Sequence, residues 1–321
     1  MFQVRKEKFG SYLQYKLINT QTDEYVSILP EWGSILNEMQ IRWEDSFLNI
    51  IDGYADPEEL KQTYKKTFKG SKLSPYPNRI REGKYTFEGI DYQLDINFPH
   101  ENNSIHGFLD DQVFEVLEEA HSTMYASLLL SHHYDGNING YPFPYKIKVL
   151  YSFDIHNTLR VNTLIKNTGD RNMPLGHGWH PYFRTGNPID SWEIQFAPTH
   201  QYLLDEKMIP TGATAPFTEF QGFKPIGDFD FDTAFALNSS HEAQTFRIRD
   251  LSKNLEINVV QETGPNKYNF SQVFSPPHRQ SLAIEPMTCA PNAFNNQIGL
   301  IVLAPGATIG FEYQIQIYKV Y

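Results

Sequence analysis

Along most of this chain, apolar side chains recur at every second position. In "YKIKVLYSFDIH" the residues Tyr145, Ile147, Val149, Tyr151, Phe153 and Ile155 alternate with mainly polar neighbours, the period of a strand with one face buried. "TLRVNTLIKNTGD" continues the pattern with Leu159, Val161 and Ile165, so the intervening "HNT" predicts a hairpin connection. Phe246 and Ile248 in "TFRIRD", Leu255, Ile257 and Val259 in "LEINVV", and Phe311, Tyr313, Ile315 and Ile317 in "GFEYQIQIY" repeat it. "KYTFEGIDYQLDI" predicts a further hairpin folded at Glu88-Gly89. Many short strands separated by turn residues predict an all-β fold of antiparallel sheets packed as a sandwich.

One segment breaks the period. "ADPEELKQTYKKTFKG" predicts a short peripheral helix, with Asp56 as N-cap, Pro57 at the first helical position, Glu58 and Glu59 in the first turn and Gly70 beyond the end. No internal repeat, low-complexity tract or linker interrupts the chain, so residues 1–321 read as a single domain.

Composition narrows the partners. With 40% hydrophobic and 14% aromatic residues the chain can bury a large core, and a formal charge of -11 argues against a nucleic-acid surface. A neutral, hydroxyl-rich small molecule suits that balance better than a strongly anionic one. No apolar run approaches the length needed to cross a bilayer, the N-terminal stretch lacks a secretory pattern, and the single Cys289 rules out an internal disulfide. These features predict a cytoplasmic soluble protein, monomer or homodimer, without a membrane or nucleic-acid partner.

Five stretches carry candidate chemistry. "LGHGWHPYF" gathers His177, Trp179, His180, Tyr182 and Phe183; in an extended chain His177 and His180 point to opposite faces, a poor arrangement for a shared zinc. No metal is therefore expected; His177 reads as a core residue and His180 as a functional one. In "SLAIEPMTCAPNAFN", alternation puts Ser281, Ala283 and Glu285 on one face, a carboxylate beyond two small side chains, with Pro286 ending the strand. Its plainer reading is an edge-strand glutamate facing solvent or an arginine. "SPYPNRIREGKYTFEG" holds Asn78 and Arg79 at a loop mouth, where a guanidinium can grip neighbouring oxygens or pair with an acidic loop. "SIHGFLDD" sets His106 beside Gly107, a point of close backbone approach. "GDFDFDTAFAL" places Asp228, Asp230 and Asp232 on one face if extended, without the glycine and glutamate of a calcium loop.

The ordered set "NRI" with "GKYTFEG", "HG" at His106, "HPYF" at His180, "DTAF" at Asp232, "IEP" at Glu285 and "LAPG" downstream resembles the aldose 1-epimerase (mutarotase) family. The resemblance implies a large, twisted, galactose mutarotase-like β-sandwich binding a pyranose in an open cleft, without a cofactor. It implies that Glu285 takes the anomeric proton and His180 protonates the ring oxygen, with His106 assisting and Arg79 and Asp232 holding hydroxyls. That chemistry needs His180 to be at least partly protonated, which nearby carboxylates would favour. Asn78 and the ring of Trp179, with Tyr182 and Phe183, are further candidates for sugar contacts.

The chain departs from the galactose mutarotase pattern at Arg184-Thr185 after "HPYF", at Pro286-Met287 after the glutamate and at Phe108 after Gly107. It resembles a divergent branch whose sugar the motifs do not name. Three alternatives remain open at this point. A hexose-6-phosphate 1-epimerase could use Arg184 and Arg79 for the phosphate. A non-catalytic carbohydrate-binding protein would not need both Glu285 and His180. A glycosidase would pair Glu285 with Asp232.

Overall fold

The computed structural model describes residues 1–320. The alternating segments form the strands Tyr145–Asp154, Leu159–Asn167, Ala243–Asp250, Leu255–Glu262 and Thr308–Lys319, and the hairpin Lys84–Phe87/Ile90–Gln93 turns at Glu88-Gly89. Their apolar residues are buried as the period requires, except that Ile155 lies past its strand and is exposed, and Ile317 is only partly covered. At "HNT" the Asp154 carboxylate accepts the N–H groups of His156 and Thr158 at 2.9 and 3.2 Å, tightening the hairpin.

These five long strands are neighbours in a nine-stranded antiparallel sheet. The last of them, Thr308–Lys319, sits in its middle, between Leu159–Asn167 and Leu255–Glu262. A five-stranded sheet made from residues 2–49 and an eight-stranded sheet containing Leu282–Met287 complete the sandwich. One apolar cluster runs from Phe2 to Ile315 through the interior. Among the described residues, no helix is long and apolar enough to cross a membrane.

The helix Pro57–Thr67 begins at Asp56, whose side chain accepts the N–H groups of Glu58 and Glu59 at 2.8 and 2.9 Å. Asp56→Ala is expected to cost about 1 kcal/mol of stability by leaving those donors to water. Chemical denaturation checks this, and an unchanged midpoint would contradict it. Gly70 lies beyond the end as expected, and the cap itself is Phe68. Phe68, not Gly70, takes the first left-handed position (φ 50°) and donates its N–H to Tyr64 O at 2.8 Å. Gly70 follows with φ 65°, where a Cβ would lie 2.0 Å from Leu36 O.

Pro286 does not end its strand, which continues to Met287. The N–H groups of Ile284 and Thr288 both point to the 177–183 segment, reaching Pro181 O at 3.3 Å and His177 O at 2.8 Å. Position 286 shares that direction, and it faces the break between the short strands Gly178–Trp179 and Tyr182–Phe183. A residue without an N–H therefore forfeits no ladder bond there. Glu285 consequently stands in a central strand, flanked by Phe270–Phe274 on one side, and not on an edge.

Candidate active site

The break that tolerates Pro286 also builds the site. His180 leaves the ladder, and its backbone instead gives its N–H to Ser71 O and accepts from Gly70 N–H, both at 2.9 Å. The segment after the helix thus holds the histidine in place. Alternation along 177–182 then sorts the side chains. His177 and Trp179 face the sandwich core, where His177 stacks on Phe311 at 5.4 Å and the Trp179 Nε1–H donates to Thr163 Oγ1 at 3.3 Å. His180 and Tyr182 face the other way, stacked at 4.8 Å and 18°.

They open onto a cavity of about 200 Å³, lined also by Phe68, Asn78, Arg79, His106, Asp232, Gln272 and Glu285. That is below the roughly 300–1,000 Å³ of pockets for drug-sized ligands and suits a monosaccharide-sized occupant. A wider groove of about 640 Å³ on the nine-stranded sheet has Glu242, Glu262, Lys267 and Glu312 as its charged groups. None of those is buried, so the smaller cavity is where titration can be tuned.

His180 Nε2 lies 3.3 Å from Glu285 Oε1, with both residues buried. Glu285 Oε2 has no partner, which leaves an acceptor for a ligand, while the His180 ring also interacts with its own backbone. Burial pushes Glu285 well above the ordinary carboxylate range, aided by Asp232 and opposed by Arg79. Burial pushes His180 down to about 3. The expectation that nearby carboxylates would keep this imidazole partly protonated is thus corrected. Desolvation outweighs attraction, and the pair favours a neutral carboxyl beside a neutral imidazole.

His106 is fixed by its neighbour in the "NRI" turn. Its Nδ1 accepts the Asn78 N–H at 3.1 Å and its own N–H reaches Asn78 O at 2.9 Å. Both residues take left-handed φ, and Gly107 must be glycine because a Cβ would meet Ser74 O at 2.0 Å. Burial holds His106 neutral. With Nδ1 accepting, the ring proton sits on Nε2, which makes that nitrogen a donor. Ligand atoms of His106, His180 and Glu285 lie within 4.8 Å of one another, the spacing of a possible metal set. A metal would require a lone pair on His106 Nε2, which this tautomer does not offer, so the residues fit a hydroxylated ligand better.

Asn78, Gln272 and Asp232 form a chain: Asn78 Nδ2 donates to Gln272 Oε1 at 3.3 Å and Gln272 Nε2 to Asp232 Oδ1 at 2.6 Å. Of the three aspartates in "GDFDFDTAF", only Asp232 lines the cavity; Asp228 and Asp230 lie at a separate surface with Arg279. Arg79 is buried and pairs with Glu101, Nε to Oε2 at 2.5 Å and Nη2 to Oε1 at 3.0 Å. The structural reading of this arginine, a partner for an acidic loop, is realised within the pocket wall.

The cavity thus brings together Glu285, His180, His106, Arg79, Asn78 and Asp232. It excludes Trp179, which is wholly buried in the core, and Arg184, which lines a groove beside the N-terminal sheet. Residues the sequence reading passed over are Phe68, whose ring meets His106 at 4.7 Å, along with Gln272, Phe98 and Glu101. The polar pair Ser271-Gln272 inside the apolar run "NFSQVFS" was a usable signal, since Gln272 sits opposite Glu285 in register.

The sequence matches the aldose 1-epimerase family over residues 16–316. The chain belongs to the aldose 1-epimerase family. Members of this family are isomerases, and the chain is an enzyme of that type. It is 30% identical over 261 residues to YihR of Escherichia coli (strain K12), a protein of uncharacterized function, with 78% of each chain covered. It is 28% identical over 243 residues to the galactose mutarotase of Mus musculus, covering 69% of this chain and 67% of that one. A galactose mutarotase-like protein from Clostridium acetobutylicum shares its fold with a TM-score of 0.84, over 99% of both chains at 18% identity. Galactose 1-epimerase from Lactobacillus acidophilus gives 0.80 at 18% identity, over 100% of this chain and 99% of that one.

Proposed function

We propose that this aldose 1-epimerase interconverts the α and β anomers of a monosaccharide, with Glu285 as base and His180 as acid. The observation that supports this most is the buried pair, 3.3 Å apart, with Glu285 Oε2 unpartnered beside a cavity of monosaccharide size. Glu285 takes the anomeric O–H proton; the C1–O bond becomes a carbonyl as the bond from C1 to the ring oxygen breaks. The ring oxygen keeps that electron pair and receives the proton of His180. Rotation about C1–C2 presents the other carbonyl face, and the same transfers run in reverse. His106 Nε2–H, Arg79, Asn78, Gln272 and Asp232 hold oxygens, while Phe68 and Tyr182 supply apolar surface. We propose that the whole chain, residues 1–321, acts as one unit.

Ring opening leaves Glu285 as carboxyl and His180 as neutral imidazole. That is the charge state burial favours, so the pocket is electrostatically matched to the opened sugar. A binding protein would have no use for such a proton-carrying pair, whose burial opposes ionisation of both members.

Only the singly protonated pair can react, and its titration belongs to both groups together. With His180 lowered to about 3, kcat/KM stays flat as pH falls through about 6.5, where a free imidazole titrates. The acid limb lies below that, and the basic limb lies above the ordinary carboxylate range. Anomer exchange followed by NMR on a panel of free aldoses, across pH and corrected for solvent catalysis, tests both points. No acceleration of any aldose contradicts the function. A half-maximal fall near pH 6.5 contradicts the proton assignment.

A further inference from the structure

We infer that Glu101 sets the charge of the acceptable substrate, closing the site to aldoses that carry a carboxylate, phosphate or other anionic group. This rests on the reading of the cavity as an aldose site. A buried arginine in a sugar pocket would ordinarily be an anion receptor, because its planar fork matches two oxygens of a carboxylate or phosphate. Here the Nε/Nη2 side of the Arg79 fork is already filled by Glu101, at 2.5 and 3.0 Å, and Nη1 donates to Asn78 Oδ1 at 3.2 Å. One N–H remains on each of Nη1 and Nη2 and can serve a neutral hydroxyl, while the Glu101 carboxylate cancels the charge that would draw an anion to them.

The placement of Glu101 is built into the wall. Its loop folds back through the Phe98–Asn103 bridge, and Asn97 ties it to Ile105 through bonds of 2.8 and 2.7 Å. Asn103 Nδ2 reaches both Glu101 Oε2 at 3.5 Å and Lys207 O at 3.0 Å, joining the loop to the turn at Lys207. Phe98 lies against the guanidinium, 5.8 Å from its ring centroid. With Arg79 and Glu101 cancelling, the charged groups left around the cavity are Lys66 at the mouth and the carboxyls Asp232 and Glu285. An anionic substituent therefore finds Arg79 already neutralised and meets the acidic side of the cavity at Asp232 and Glu285, with the exposed Lys66 as the remaining cation. This is exclusion by occupation and repulsion, and it agrees with the position of Arg184 outside the cavity.

The test measures binding of D-glucose, D-glucose 6-phosphate and D-glucuronate by saturation-transfer difference NMR, with catalysed anomer exchange recorded on the same samples. The parent, Glu101→Gln and Glu101→Asp are compared, and melting curves accompany each. The parent is expected to bind the neutral sugar in preference to both anions. Glu101→Gln is expected to shift the anion-to-neutral affinity ratio upward on the order of tenfold or more, the size of removing one unit charge beside a ligand charge in a protein pocket. Glu101→Asp keeps the charge and is expected to keep the exclusion. A parent that binds an anion as tightly as glucose overturns the role, as does an unchanged ratio in Glu101→Gln. A ratio raised equally in Glu101→Asp also overturns it, because loop packing rather than charge would then be responsible. Exchange of the neutral sugar by the parent is a separate readout, so loss of the epimerase reading is distinguishable from loss of the charge filter.

Discussion

Glu285→Gln is expected to slow anomer exchange on the order of 10²–10⁴-fold, the contribution of one positioned acid–base group, while making the protein more stable at pH 8. Both effects follow from the same burial. The amide keeps the shape of the side chain but cannot accept the anomeric proton. In the parent, burial raises Glu285 well above the ordinary carboxylate range. The stability linked to its protonated form is fully present below that range and is lost as pH climbs toward its folded value. Glutamine does not ionise, so the advantage of the variant is small at pH 4 and grows toward pH 8. Thermal melts at the two pH values check the sign. A variant that is inactive yet no more stable at pH 8 than at pH 4, relative to the parent, would contradict the buried-carboxyl explanation.

Trp179→Ala is expected to cost about 3–5 kcal/mol of folding stability, the usual range for removing a fully enclosed large ring. The folded fraction should keep its affinity for sugar. The indole has no exposed surface, lies 6.0 Å from the Tyr151 ring and 5.8 Å from Tyr313, and gives its N–H to Thr163. Denaturant titration reads the first effect and sugar binding at low temperature reads the second. A stable variant with weakened sugar binding would restore the sugar-platform role suggested by its neighbours in "LGHGWHPYF".

That residue also illustrates how the chain could be read. The period-two rule that separates His177 from His180 places Trp179 with His177, on the core face, and the structure obeys it. The error lay in treating the aromatics of the motif as one group. Glu285 was legible for the same reason, since alternation separates it from Leu282 and Ile284, which join the core cluster, and the structure sets it at the cavity. The long strands were legible because each buries one face within its own span. Their order was not: the final strand Thr308–Lys319 inserts between strands that precede it, a non-local pairing that no window of sequence encodes.

Other parts of the site depend on contacts distant in sequence. Phe68 reaches His106 because a left-handed residue ends the helix and turns the chain into the pocket, so the helix expected to lie outside the sheets contributes a wall. Glu101 sits in "HENNS", a loop with no periodicity, and gains its meaning only when Arg79 comes within 2.5 Å. The proton states were hidden for a related reason. Composition shows an acidic protein, but desolvation at two side chains overrides the average charge.

The most direct measurement is saturation transfer between the α and β anomeric resonances of a free aldose, with the parent, His180→Asn and Glu285→Gln side by side. The expected result is rapid exchange with the parent and exchange near the solvent rate with each variant, while all three still bind the sugar. Full exchange in either variant would contradict the assignment of Glu285 as base and His180 as acid.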